Sequence, residues 1–341
     1  MKRAVLLAGT GAIGWAATRR LTSVGYDVVV TGRDPAHVPP EFAATGAKFV
    51  QGDRHDASSL PTVLACGADL VVDCGCYTAA DAEALLTYLG DVTSAVMISS
   101  KAVYVDSGGR HANSDVPPRF DAPISEEQPT LRPSNADYHS REGYGANKVA
   151  AEEVLLSSSC AVTVLRPSKI HGSWSRQPRE WYFVKRALDQ RPAVLLAHRG
   201  AGADHPTAAL NIAALIQVVA EKPGQRILNV ADPDCPDGRT IASIVADQLG
   251  HSWREILLGD DAPDGLGRHP WDRLPRVELD TTAAARLGYT PVGDYAATVR
   301  DEIQWLVEVA AAVHPSSVID QSSHDPLDYD LEDDYVREHG N

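Results

Sequence analysis

The stretch Ala4-Val5-Leu6-Leu7-Ala8-Gly9-Thr10-Gly11-Ala12-Ile13-Gly14 decides how the chain folds. An apolar run of strand length enters a G-x-G-x-x-G pattern, and apolar residues then recur at helical spacing, at Ile13, Ala17, Leu21 and Val24. Between a strand and a helix the glycines have a mechanism. They let the backbone turn tightly and come close to a pyrophosphate, which free N–H groups and the positive helix N-terminus then hold. Gly9, Thr10, Gly11, Ile13 and Gly14 are therefore the expected phosphate-side residues of a dinucleotide site.

Strand and helix signals keep alternating downstream. Apolar runs at 27–31, 48–51, 70–74 and 95–99 predict strands, and Ala82, Leu85, Leu86 and Leu89 mark a helix between two of them. Asp56 and Thr78 are N-cap candidates for the second and third helices. A helix at 144–156 leads to a strand at 162–166. Near-continuous apolar strands joined through helices give βαβ units and a parallel sheet covered on both faces. The expected fold class is α/β: a Rossmann-type doubly wound parallel sheet over 1–171, completed by 226–231, with a smaller C-terminal α/β substrate lobe over 172–313. Six acids between Asp325 and Asp334 predict a solvated or disordered acidic tail over 314–341.

Composition narrows the function classes. The 341 residues are 44% hydrophobic and 23% charged, which excludes global disorder. A formal net charge of −15 repels phosphate backbones and anionic lipid, and no basic patch exists beyond pairs such as Arg19-Arg20 and Lys185-Arg186. Neither nucleic acid nor membrane is an expected partner, since no apolar run approaches the ~18 residues of a span. Gly9-Thr10-Gly11 breaks the first apolar run too early for a secretory leader. Five cysteines without repeating spacing point to a reducing, cytoplasmic setting. Cys74-Gly75-Cys76 has too few neighbouring ligands for a metal, so no metal site is expected; both cysteines are expected to line the nicotinamide pocket, Cys74 among the cofactor residues.

The end of the second strand reads Val30-Thr31-Gly32-Arg33-Asp34. An acid there would grip a ribose 2′-hydroxyl, whereas Arg33 offers a bidentate partner to a 2′-phosphate. NADP(H) is the favoured cofactor, with NAD(H) as the alternative. Asp53, after the third strand, has two readings: a contact to the adenine amino group or a loop cap.

Tyr144-Gly145-Ala146-Asn147-Lys148 places a phenol and an ammonium one helical turn apart, on one face. Met97-Ile98-Ser99-Ser100 ends a strand at the same sheet edge as the glycine turn. A phenol with pKa ~10 needs a nearby cation to exchange protons at neutral pH. Lys148 is the expected cation and ribose ligand, Tyr144 the acid–base, and Ser100 the hydrogen-bond donor to the substrate oxygen.

These residues, with Gly52-Asp53, Val103-Tyr104 and Leu165-Arg166-Pro167, make the chain resemble the extended short-chain dehydrogenase/reductase family to about residue 250. That family includes the sugar-nucleotide epimerases similar to UDP-galactose 4-epimerase. The resemblance implies Ser100, Tyr144 and Lys148 as the catalytic set, Pro167-Ser168 as a backbone contact to the nicotinamide amide, and a homodimer. Its substrate lobe would fall around His171, Trp174 and His205. Either histidine could be a second acid–base group, with a packed or surface histidine the favoured reading; Trp174 would stack on the substrate or pack the lobe. The chain departs from the family at Ala8, where the glycine turn often begins, and at Ser99-Ser100-Lys101, where sugar dehydratases carry an Asp-Glu pair. It departs again at His171, a usual tyrosine, and over the long 105–143 segment. The expected activity is NADPH-dependent reduction of a ketone on a small polar, sugar-nucleotide- or nucleoside-like metabolite. The alternatives are an epimerase and a non-catalytic NADP-binding sensor.

Overall fold

The computed structural model describes residues 1–260, 262–312 and 329–339. Its strands are β1 (Arg3–Leu7), β2 (Asp27–Gly32), β3 (Lys48–Gln51), β4 (Ala68–Asp73), β5 (Val92–Ile98), β6 (Val162–Pro167), β7 (Lys169–His171), β8 (Ala193–Leu196), β9 (Pro206–Ala208), β10 (Arg226–Val230) and β11 (Arg254–Leu257). The helices are α1 (Ala12–Ser23), α2 (Pro61–Leu64), α3 (Ala79–Leu86), α4 (Gly143–Leu156), α5 (Trp181–Leu188), α6 (Ala209–Glu221), α7 (Gly238–Gln248), α8 (Thr282–Arg286), α9 (Tyr295–Thr298), α10 (Arg300–Ala311) and α11 (Tyr329–His339).

Seven strands form one parallel sheet in the order β10-β6-β5-β4-β1-β2-β3. Strand order reverses between β1 and β4, and the carboxyl ends there open the crevice in which such sheets bind ligands. Side chains alternate between faces along each strand. Ala4, Leu6, Leu70, Val72, Val96 and Ile98 pack under α1 and α6. Val5, Leu7, Val71, Ala95, Met97 and Val164 pack under α2, α3 and α4. Each fully buried Leu or Val contributes about 1.5–3 kcal/mol relative to exposure. A one-residue slip would exchange the two faces, so register is firmly specified.

Thr78 caps α3 through a capping box with Asp81. Asp56 does not cap α2. Its carboxylate accepts from Ser58 N–H within a single 3-10 turn, and α2 opens at Pro61 with no side-chain cap.

The smaller lobe gathers Tyr182, Phe183, Trp271, Tyr295, Trp305 and the apolar faces of α7 and α10 around β8 and β11. The expected solvated tail is corrected over part of its length. Residues 329–339 form a docked helix, with Glu332 only 5% exposed and 2.6 Å from the Arg186 guanidinium. Asp333 pairs with Arg191, Tyr329 donates to Asp189 (2.8 Å), and Tyr335 and Val336 pack near Leu195, Leu258 and Leu266. Two of the acids that read as a solvating run, Glu332 and Asp333, are counter-charges to Arg186 of α5 and Arg191 of the turn after it. Residues 314–328 of the predicted tail lie outside the described residues. No described helix is long and apolar enough to cross a membrane.

Candidate active site

The glycine turn separates three roles. A Cβ at Gly14 would strike the Gly9 carbonyl at 2.1 Å, and one at Gly9 would press Val30 at 2.9 Å. Those two glycines let strand, turn and helix close on each other. At Gly11, the N-cap of α1, a Cβ would meet only the Trp174 carbonyl, at 4.0 Å. That open front, beside helix N–H groups with no side-chain cap, is the space a pyrophosphate needs. Ala8 occupies the left-handed region (φ 52°), which costs an L-residue about 1–2 kcal/mol and explains why a glycine is at home there.

β2 ends at Gly32, where a Cβ would lie 2.6 Å from the Thr10 methyl, so an acid at that position collides with the turn. Arg33 is exposed; Gln51 donates to its carbonyl (2.9 Å), and among the described residues no carboxylate pairs with its guanidinium. Asp34 turns instead to the Ala36 N–H and to His37. Asp53 accepts from His55 N–H (3.0 Å), a local turn contact. All five cysteines are free thiols. Burial and Asp73 push the half-buried Cys74 thiol up to about 12, and Cys76 is pushed up by the same two causes, so neither offers a thiolate. Beneath the crevice Arg54 and Asp73 form a buried ion pair of 2.6 Å, with a second Arg54 N–H on the Asp81 carbonyl. Sequence spacing carried no sign of this brace.

Ser100, Tyr144 and Lys148 come together at the carboxyl end of β5. Gly145 makes the approach possible: a Cβ there would lie 2.5 Å from the Ala102 carbonyl, in the turn after Ser100. Glu152 of α4 anchors the same helix to the sheet by accepting from Arg166 Nε (3.1 Å) and from the Ser99 hydroxyl. Tyr144 is half-buried, with Ser100 and Arg179 near its hydroxyl. Burial raises its pKa above the ordinary phenol value, against the lowering pull of Ser100 and the nearby Arg179 charge.

Lys148 departs from its expected role as the cation acting on Tyr144. It is 2% exposed, and its Nζ donates to the carbonyls of Cys76 (2.7 Å) and Ile98 (3.0 Å), beneath the Tyr77 ring at 4.2 Å. The two carbonyls hold the ammonium toward Tyr77, so Arg179 is the cation that bears on Tyr144. Tyr77, stacked on Tyr138 (5.4 Å, 9°) and His55 (5.8 Å, 26°), roofs this corner, and no sequence motif marked it.

The substrate side is cationic. Lys101, next to Ser100, and Lys169 of β7 both pair with Asp204, the latter at 3.5 Å. Burial, together with Arg179 and Arg273 nearby, holds both ammoniums well below the usual lysine range; Lys169 further depresses Lys101. Lys101, Tyr104, Phe120, Asp204, Arg273 and Val277 line one pocket.

Three expected substrate residues are placed differently. His205 is 4% exposed, with Nε2 on the Asp232 carbonyl (2.9 Å) and Nδ1 accepting from Leu279 N–H (3.0 Å), so both ring nitrogens are spent on packing. His171 is 1% exposed and pairs with Asp232 (2.8 Å) beneath Tyr295 (5.0 Å). The Trp174 ring packs on Trp305 (5.8 Å), and its carbonyl, not its indole, faces Gly11. At the end of β6, Ser168 N–H is taken by Thr207 Oγ1 (3.1 Å), so Pro167-Ser168 presents the buried, unpartnered Ser168 hydroxyl instead of that N–H.

Comparison with solved structures returns the same architecture. The chain is similar to a UDP-glucose-4-epimerase from Stenotrophomonas maltophila with bound NAD, at 18% identity over 92% of this chain and 100% of that one (TM-score 0.70). It is similar to a UDP-N-acetylglucosamine 4-epimerase from Methanobrevibacter ruminantium M1, at 16% identity over 90% and 98% (TM-score 0.68). A UDP-galactose 4-epimerase matches at 21% identity over 90% and 99% (TM-score 0.64). No functionally curated protein matches the chain by sequence. The model of the NAD dependent epimerase/dehydratase family matches residues 5–231, from β1 through the strand that completes the sheet, and the chain belongs to that family.

Proposed function

We propose that the protein is an NADP(H)-dependent oxidoreductase that reduces a ketone on a phosphate-bearing, sugar-nucleotide-like metabolite. One observation carries this: the half-buried Tyr144 hydroxyl near Ser100 at the carboxyl end of β5, beside a glycine turn whose front is open. The nicotinamide, when bound, supplies or accepts the hydride. Tyr144 gives its proton to the substrate oxygen, and its raised pKa suits it to hold that proton until charge develops there. Ser100 donates a hydrogen bond to the same oxygen. Lys148 has three donors and spends two on carbonyls, leaving one for a ribose hydroxyl. Gly32 and the unpaired Arg33 support a 2′-phosphate over a bare ribose. Lys101, Lys169, Arg179 and Arg273 around the single carboxylate of Asp204 leave an excess of positive charge that suits a substrate phosphate.

Epimerisation is the alternative, and the sugar-nucleotide epimerases among the similar structures favour it. Cofactor stoichiometry separates the two. With keto-sugar nucleotides as substrates, a reductase oxidises one NADPH per product formed, read at the nicotinamide absorbance. Turnover with no net change in the nucleotide assigns an epimerase. Tight NADPH binding without turnover of any sugar nucleotide in either assay returns the sensor role.

A further inference from the structure

Beneath the loop that follows β7, three buried side chains point unsatisfied atoms at one another. His171 ends β7, Glu180 immediately precedes α5, and Glu302 lies in the first turn of α10. Each is at most 1% exposed. His171 Nδ1, one Glu180 oxygen (Oε2) and one Glu302 oxygen (Oε1) have no hydrogen-bond partner. The other polar atoms of the trio are occupied. His171 Nε2 meets Asp232 at 2.8 Å, Glu180 Oε1 accepts from the Tyr295 hydroxyl at 3.2 Å, and Glu302 Oε2 accepts from Gly172 N–H at 2.6 Å.

Buried polar atoms are almost always paired, so three orphans in one place call for an occupant. One imidazole nitrogen and one oxygen from each of two carboxylates, all within 4.8 Å of one another, are the donor types a divalent transition ion takes. We infer that His171, Glu180 and Glu302 form a metal site of one nitrogen and two oxygens, suited to Zn²⁺, which braces the loop carrying Trp174 and Arg179 against α10. A tetrahedral zinc with bonds of about 2.0–2.1 Å needs its ligands roughly 3.3 Å apart, so an inward rotation of the glutamates closes the site. Asp232 on the far ring nitrogen completes a carboxylate–histidine–metal relay that fixes the tautomer with Nδ1 free for the ion. A cleft lined by Ala12, Trp15, Arg19, Gly172, Thr298 and Asp301 reaches His171 and gives an entry path. The ligands stand at 171, 180 and 302, a spacing that no short motif covers.

The ion would be structural. None of Ser100, Tyr144 and Lys148 is among its ligands, and the inference does not rest on the substrate or cofactor proposed above. The test uses the full chain, stripped by chelator and titrated with ZnCl₂ by calorimetry, with melting temperature as a second readout. The expected result is one Zn²⁺ per chain and a higher melting temperature on loading. Glu302→Gln and Glu180→Gln, which keep the size and one acceptor oxygen but remove the charge, should each weaken binding at least tenfold. Co²⁺ in place of Zn²⁺ should give visible d–d absorption in the wild-type chain that both variants lose. Absence of saturable 1:1 binding in the wild-type chain would overturn the inference and leave the carboxyl pair to a shared proton. Binding that both variants retain unchanged would overturn it equally, by placing the ion elsewhere.

Discussion

The two walls of the crevice are built from opposite materials. Apart from Arg33 and Lys148, the expected cofactor wall is backbone and small neutral groups: Gly9, Gly11 and Gly14, the Trp174 carbonyl, Gly32, and thiols that stay protonated. The substrate wall is long charged side chains: Lys101, Lys169, Arg179 and Arg273 around Asp204. In the proposed function the pyrophosphate would be met by oriented N–H dipoles, while the variable molecule would be met by charges that depend on side-chain placement. The first kind of wall tolerates little change in shape, the second little change in charge. Tyr144 sits at their junction and answers to both.

The sharpest way to break this contrast is at the junction. Tyr144→Phe keeps the ring and both walls, so dinucleotide binding should persist while kcat falls by ~10²–10⁴-fold, read by single-turnover kinetics. Near-normal turnover would move proton transfer to another group. On the substrate wall, Lys169→Met removes one charge and keeps most of the volume. KM for a phosphate-bearing substrate should rise by ~10–100-fold, the equivalent of a lost charged hydrogen bond, with NADPH affinity unchanged. On the cofactor wall, Arg33→Asp should shift the NADPH-to-NADH preference by about tenfold or more toward NADH without changing substrate KM, measured by nucleotide titration. If each substitution moves both constants together, the walls are not independent.

The smallest expected effect tests what holds the 105–143 segment beside the substrate wall. Asp106 is 3% exposed and accepts from the N–H groups of Gly108, Arg110 and Arg119 and from the Arg110 side chain, which lowers its pKa to about 2. A carboxyl whose folded pKa lies below its unfolded value of ~3.9 stabilises fully above that value and loses its contribution as pH falls toward 2. Asp106→Asn should therefore cost about 1–2 kcal/mol at neutral pH, and the deficit relative to wild type should shrink between pH 4 and 2 in urea unfolding.

What was legible in the sequence followed the same division. The glycine turn, the seven sheet strands and the Tyr144–Lys148 face are encoded by neighbours within one strand or one helical turn, so local spacing sufficed to find them. Lys148 was found but its target was not. The carbonyls that hold it belong to Cys76 and Ile98, and carbonyls leave no trace in residue type. Asp204, Arg273 and Arg54 reach the site from distant turns, and each reads alone as an ordinary surface charge. His205 carried two readings, a second acid–base group and the favoured packing; only the Asp232 carbonyl and Leu279 N–H, both distant in sequence, show that both its nitrogens are taken.

The docked α11 has a consequence for the order in which the molecule is made. A nascent chain that has emerged past residue 230 already holds all seven strands of the large sheet. The smaller lobe is still missing Ile303, Trp305 and Leu306 from its core, and Arg186 is still waiting for Glu332, a partner 146 residues downstream. Until then Arg186 lacks its contact with Glu332 and an aromatic cluster lies uncovered. During synthesis the sheet half can therefore be folded while the lobe beside it is still the part a chaperone or protease recognises.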